Sequence, residues 1–182
     1  MASKHAILSA SSAARWIACP PSARLNAVKS DAPSEYAAQG TEAHRLCEYK
    51  LRKALGEKVR DPTKNLTFYD SEMEECAETY CQFVMEAVVQ SRATSKDTLV
   101  LVEQRVDFSD FVPDGFGTAD TLIISGKTVC IVDYKHGKGI EVSADHNPQM
   151  MCYALGSIQM FDGLYDIESI WMIIFQPRLS NI

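Results

Sequence analysis

Val129-Cys130-Ile131-Val132-Asp133-Tyr134-Lys135 decides how this chain folds. Four apolar residues, three of them β-branched, run straight into an acid, an aromatic and a lysine, and His136-Gly137 follows. A short apolar run of this composition bounded by a glycine reads as a buried strand. Side chains alternate along a strand, so Asp133 and Lys135 share a face. Two charges at the end of a buried strand are costly unless they meet partners or carry chemistry. Upstream, Thr121-Leu122-Ile123-Ile124 forms a second apolar run, preceded by Gly117-Thr118-Ala119-Asp120. Ser125-Gly126-Lys127 between the two runs predicts a hairpin turn. Folding there brings Asp120 to the edge that holds Asp133 and Lys135. Two carboxylates and a lysine at one sheet edge can hold a divalent metal and a water.

Outward from the hairpin, Leu99–Phe108 predicts another strand, and the Pro/Gly stretch 111–116 a loop. Pro148 opens a helix expected to reach about Met160, and Ile167–Gln176 predicts a last strand ended by Pro177. Towards the N-terminus, helices are expected over about Ser34–Leu55, ended by Gly56, and Asp70–Arg92, with acids in its first turn. A short helix over Ala13–Ala18 is expected to stop at Pro20-Pro21, with a loop over residues 26–33. Helix, helix, strand, strand, strand, helix, strand is the order of an α/β domain with a mixed sheet.

The chain has 182 residues, 46% hydrophobic, enough for one globular domain with a real core. No apolar run approaches membrane-spanning length, and the Ala/Ser-rich start, interrupted by Arg15, makes a poor secretion signal. A cytoplasmic protein without a membrane partner is expected. None of the six cysteines forms a Cys-x-x-Cys pair, and they read as core thiols rather than a disulfide framework. The net charge of −6 is uneven: residues 1–61 carry ten Lys/Arg against six Asp/Glu, and the rest eight against eighteen. The acidic balance does not advertise a nucleic-acid binder, but the basic first third leaves room for a local binding surface.

Four constellations can carry chemistry. Glu103, Asp120, Asp133 and Lys135 offer oxygen ligands for Mg²⁺ or Mn²⁺ and a cation for the water or the transition state; the plain alternative is a solvated ion pair on a hairpin. His44 and Glu48, four apart in a helix after Gly40, share a face that can meet a metal or be an ordinary exposed pair. Gly40 inside a helical pattern suggests close approach to another backbone. Gln149 and Tyr153, again four apart, can contact a phosphate or base, or simply pack in the first turns of their helix. Trp16-Ile17-Ala18-Cys19-Pro20 can be a core tryptophan beside a structural thiol.

In order, Gly40-x-x-x-His44, Glu103, Gly117-x-x-Asp120, Asp133-Tyr134-Lys135-x-Gly137 and Gln149-x-x-x-Tyr153 resemble the RecB-like branch of the PD-(D/E)XK nuclease superfamily, closest to a phage-associated RecB-like family. The resemblance runs from about residue 9 to 176 and implies a core of α-β-β-β-α-β order with extra N-terminal helices. It implies a Mg²⁺- or Mn²⁺-dependent deoxyribonuclease, with Asp120, Asp133, the Tyr134 carbonyl and His44 as metal ligands. Lys135 would position the attacking water, Gln149 and Tyr153 would contact DNA or brace the site, and Glu48 would stand behind the ligands. It implies phage exonuclease or end-processing work in recombination or repair, with DNA and phage recombination or replication proteins as partners, inside a bacterial host. Relatives in this branch often hold a [4Fe–4S] cluster by one N-terminal Cys-Pro cysteine and three C-terminal ones. Cys19-Pro20 matches the first; nothing after Cys152 matches the others, so a cluster would need a further C-terminal segment. Ile182 follows closely on a buried-looking strand, which leads us to expect a single nuclease domain over 1–182 cut short of a longer protein. The rival expectations are an inactive DNA-binding or assembly module of the same fold, and an acidic interaction protein whose cluster Asp70, Glu72, Glu74, Glu75 and Glu78 mimics DNA.

Overall fold

The helices begin where the sequence supplies caps. In the computed structural model, which describes residues 6–28 and 34–182, Ser34 caps α3 (Glu35–Ala54) by accepting from the Ala37 amide at 3.2 Å. Gly56, at φ +91°, takes the left-handed turn that releases the chain from it. Asp70 caps α4 (Ser71–Thr94), accepting from the Met73 amide at 2.7 Å, with Glu72 and Glu74 at the positive end of the helix dipole. Asn147 caps α5 (Pro148–Tyr165), whose first turn holds Pro148. This helix outruns its expected end at Met160 because Phe161 and Tyr165 still pack into the core beneath it. Asp166, at φ +48°, ends it.

At the N-terminus a 3₁₀ turn, Ala10–Ser12, leads into α1 (Ala13–Ala18) and then α2 (Pro21–Val28). Pro20-Pro21 ends α1 as expected but also starts a new helix, since proline is tolerated in a first turn. Residues 26–28, expected in a loop, therefore belong to α2; residues 29–33 lie outside the described residues.

The strands are β1 (Leu99–Asp107), β2 (Phe116–Ser125), β3 (Thr128–Tyr134) and β4 (Ser169–Phe175). They form one sheet in the order β1-β2-β3-β4, antiparallel except for the parallel β3–β4 pair. Gly126, at φ +56°, makes the β2–β3 turn, and α5 is the crossover that a parallel pair requires. Helices cover both faces: α3 and α4 pack Leu46, Leu51 and Tyr80 against Val132 and Phe175, and α5 packs Met150 against Val106, Leu122 and Ile131. The protein is thus a mixed α/β structure around a four-stranded mixed sheet.

At one end the regular alternation breaks. The pairs Val102↔Thr121 and Gln104↔Ala119 set Glu103 opposite Asp120, and the last β2–β3 pair, Thr121↔Val132, sets Asp120 opposite Asp133 one step beyond it. Glu103 has φ +51°. Ahead of it Val102 packs on the α3/α4 side; beyond it Val106, of the same parity, packs on the α5 side. β2 switches in step, with Ile123 in the α3/α4 core and Ala119 in the α5 core. A left-handed residue in mid-strand thus marks where both strands change faces, and the acidic row lies at the change.

Candidate active site

A cleft of about 420 Å³ opens at this row. Its floor is Glu103, Asp120, Asp133 and Lys135; α3 contributes Gly40 and His44, β2 Phe116 and Gly117, and α5 Gln149 and Tyr153. Asp120 is held from two sides: Oδ2 accepts from the Tyr134 amide at 2.7 Å, and Oδ1 lies 3.1 Å from His44 Nδ1. Ligand atoms of His44, Glu103 and Asp120 all lie within 4.8 Å of one another.

Asp133, only 1% exposed, stands beside this group and outside it. Its Oδ1 accepts from Gln149 Nε2 at 2.9 Å, while Oδ2 pairs with Lys135 Nζ at 2.8 Å. Buried Oδ2 has Lys135 as its charged partner and no further donor. Gln149 Oε1 accepts from Lys135 Nζ at 2.9 Å, and Gln149 Nε2 also donates to Tyr153 Oη at 3.1 Å. Tyr153 Oη in turn donates to the Thr118 carbonyl at 2.6 Å. Gln149 and Tyr153 therefore brace the acid–lysine pair from α5. Gly117 is needed for this: a Cβ there would come within 2.8 Å of Ala10 and 2.9 Å of the Tyr153 ring.

Three carboxylates face two cations, and the proton affinities reflect the imbalance. Burial works against a charged His44, yet Asp120, Asp133 and Glu103 together raise it to about 9. Burial and the Asp120 charge push Glu103 up to about 7. Burial and Asp120 also raise Asp133, against the pull of Lys135 and His44. Short of positive charge, the site stands partly neutralised by protons.

The structure rearranges several expected roles. Glu103 joins His44 and Asp120, while Asp133 is drawn off to Gln149 and Lys135. Tyr134 reaches the site through its amide on Asp120; its phenol is buried and bonded to His136 Nδ1 at 2.8 Å. Asp133 lies almost fully buried at the floor of the cleft, so removing it strands Lys135 and Gln149. Glu48 pairs with Arg52 at 2.9 Å, and Arg52 donates to the Val102 carbonyl at 2.8 Å. It thereby pins the chain just ahead of Glu103, a role carried by an arginine that spacing rules did not single out. Gly40 makes no close approach: a Cβ there would meet nothing within 4 Å. Arg105, likewise not singled out, lies over the Phe116 ring at 3.5 Å from its centroid.

Trp16 is half-buried and donates to the Ser9 carbonyl at 2.9 Å. Cys19 is exposed and free, and among the described residues the His/Cys/Asp/Glu group able to hold an ion contains no cysteine. The donors for an iron–sulfur cluster are thus not assembled here. The α4 acids are largely taken up in ion pairs, Glu72 with Arg178 at 2.6 Å and Glu74 and Glu78 with Lys50 at 2.6 and 2.7 Å. That weakens the reading of this patch as a DNA mimic.

Fold and site together define a mixed α/β protein with a histidine–carboxylate cleft at a sheet edge. The chain belongs to the family described as "Protein of unknown function (DUF2800)", which matches residues 5–182. No solved structure matches it. No helix among the described residues is long and apolar enough to cross a membrane.

Proposed function

We propose that the protein is a divalent-metal-dependent deoxyribonuclease on a PD-(D/E)XK-type core, hydrolysing phosphodiesters by water attack. The observation that carries this reading is the convergence of His44, Glu103 and Asp120 within 4.8 Å, in the cleft that also holds the Asp133–Lys135 pair. The order α3, α4, β1, β2, β3, α5, β4, with only the β3–β4 pairing parallel, fits the α-β-β-β-α-β expectation with one more helix, α4, before β1.

The residues suit Mg²⁺ or Mn²⁺. One imidazole nitrogen with carboxylate oxygens is a donor set for a hard to borderline cation. Asp133 Oδ2, paired with Lys135, is a further oxygen on the floor of the cleft. His44, Glu103 and Asp120 would hold the ion, with Asp133 beside them. Bound there, it would polarise the phosphodiester and lower the pKa of a water. Lys135, fixed by Asp133 and Gln149, presents its ammonium to the water or to charge developing on the phosphate. Gln149 and Tyr153 keep that ammonium in place. His44 must give up its proton to become a ligand. DNA is the substrate, and recombination, end processing or repair of phage DNA in a bacterial cytoplasm is the setting, alongside phage recombination or replication proteins.

The test is degradation of linear DNA with Mn²⁺ against EDTA. Asp120→Asn and Lys135→Met should each lower the rate by at least about a hundredfold while the far-ultraviolet circular dichroism stays that of the wild type. Asp133→Asn is the third variant, chosen over alanine to spare the buried partners. Equal cleavage by Asp120→Asn and wild type overturns the assignment.

A further inference from the structure

The two edges of the sheet are unlike. β1 guards itself: Glu103, Arg105 and Asp107 put charges along it, the left-handed turn at Glu103 bends it, and Arg52 occupies the Val102 carbonyl. Charges and a bend keep an edge strand from pairing with other chains. β4 has neither. Ser169-Ile170-Trp171-Met172-Ile173-Ile174-Phe175 holds no charge, proline or glycine. The Ser169 amide donates to the Lys127 carbonyl and the Phe175 carbonyl accepts from the Lys135 amide, so the odd-numbered residues bond inward to β3. Gln176 turns outward and exchanges two hydrogen bonds with Asn181, at 2.9 and 3.2 Å. By the same alternation Ile170, Met172 and Ile174 turn N–H and C=O outward, and among the described residues no backbone meets them. Such a row on an uncharged edge is a template for an added strand.

A groove of about 480 Å³ runs beside that row, with Trp171–Ile174 along its floor and Glu141, Asp145 and Ile182 on its walls. Trp171 is 64% exposed, on the α3/α4 side of the sheet where its register partner Cys130 packs. The acids lie towards the other side, since Val142 and Ala144 between them pack in the α5 core. Both acids are exposed, and no lysine or arginine lines the groove. Charge therefore selects the occupant. A second copy of this chain would offer β4 itself, which carries no cation, preceded by Asp166 and Glu168, with Lys127 already bridged to both. Paired antiparallel, the start of one β4 would lie by the end of the other, where Val142 bonds Gln176 and Glu141 stands next to it, so like charges would meet.

We propose that the β4 edge is a docking site for an extended, basic segment of another protein, which adds to the sheet as a fifth strand. Its residues alternate, β-branched ones beside Trp171 and cations facing Glu141 and Asp145. The outward backbone row supplies the affinity; the apolar floor and the two carboxylates choose the partner. This edge lies across the sheet from Glu103, so the docking stands apart from the chemistry of the cleft.

The probe is a fluorescein-labelled peptide, Val-Lys-Val-Arg-Val-Lys-Val, compared by anisotropy with Val-Lys-Pro-Arg-Pro-Lys-Val, a twin of equal charge that cannot pair as a strand. The first should bind at least about tenfold more tightly. Its binding should blue-shift the tryptophan emission, and Trp171→Phe, which keeps Trp16, should remove the shift. Glu141→Gln combined with Asp145→Asn should weaken binding several-fold and leave the thermal midpoint in place. Met172→Pro, which removes one outward N–H and spares the ladder to β3, should abolish binding, with circular dichroism checking the fold. Equal affinity for the two peptides, no binding of the first, or unchanged affinity in the doubly substituted protein overturns the inference. A wild-type dimer in sedimentation equilibrium that Met172→Pro dissolves also overturns it, giving the edge to a second copy.

Discussion

Replacing Glu103 by glycine should stabilise the protein and abolish metal binding at the proposed site. Glu103 holds φ +51° between two regular ladder pairs. For an L-residue the left-handed region costs roughly 1–2 kcal/mol, and glycine removes that at an entropic loss of about 0.5–1 kcal/mol. The backbone gain is therefore about 0–1.5 kcal/mol, with a middle value of about 0.75 kcal/mol. A second gain depends on pH. Burial and Asp120 lift Glu103 from 4.5 to about 7, so the folded state binds a proton more tightly than the unfolded one. The wild type's stability from that proton is fully present below pH 4.5 and is lost as pH rises through about 7, where the crowded carboxylate ionises, so the variant's gain appears at high pH. Glu103→Ala separates the two effects, because it deletes the carboxylate and keeps the left-handed backbone. The assay is urea unfolding followed by circular dichroism in EDTA at pH 5 and pH 8, repeated with Mn²⁺. Glycine should exceed alanine by about 0.75 kcal/mol, the middle of that range, at both pH values. Alanine should gain on the wild type mainly at pH 8. Mn²⁺ should raise the wild-type midpoint and leave both variants nearly unmoved. A glycine variant no more stable than alanine refutes the strain; equal Mn²⁺ stabilisation of all three proteins refutes Glu103 as a ligand.

Two further outcomes follow from single contacts. Three carboxylates raise His44 to about 9, so Mn²⁺ binding at pH 8 should expel about one proton and tighten about tenfold per pH unit between about 7 and 9, and more steeply below 7, where Glu103 must lose its proton too. Calorimetry in buffers of different ionisation enthalpy reads this directly, and an affinity flat from pH 6 to 8 counts against His44 as a ligand. At Gly156, where α5 crosses β1, a Cβ would come within 2.3 Å of Val106 Cγ1 and 2.6 Å of the Asp107 carbonyl. Gly156→Ala should therefore cost about 1–3 kcal/mol and visibly lower the melting temperature; an unchanged melting temperature would show that the helix can move off the strand without loss.

Most of the fold was legible because its signals are local. The Ser34, Asp70 and Pro148 starts, the Gly56 stop and the Gly126 turn each depend on a few neighbouring residues, and each lies where it was expected. The end of α5 was not, because burial of Phe161 and Tyr165 is tertiary information. The site divides the same way. Asp133, Lys135, Gln149 and Tyr153 could be grouped from alternation and four-residue spacing, since each pair lies on one element. The choice between Glu103 and Asp133 as companion to His44 and Asp120 could not. Strict alternation along β1 and β2 fails at the row of interest, where Val102 and Val106 pack on opposite sides of the sheet although their spacing says otherwise. That failure comes from one left-handed glutamate, in a strand whose sequence, Leu99–Asp107, contains no glycine or proline to announce it. The bend must therefore be imposed from outside the strand, and the contact beside it is known: Arg52, held by Glu48 and Glu57, draws on the Val102 carbonyl. Helix α3 thus shapes the site twice, by His44 beside Asp120 and by the arginine two turns further on that steadies the strand opposite. A local unfavourable conformation held by a distant element is the usual way a fold sets aside regularity for chemistry.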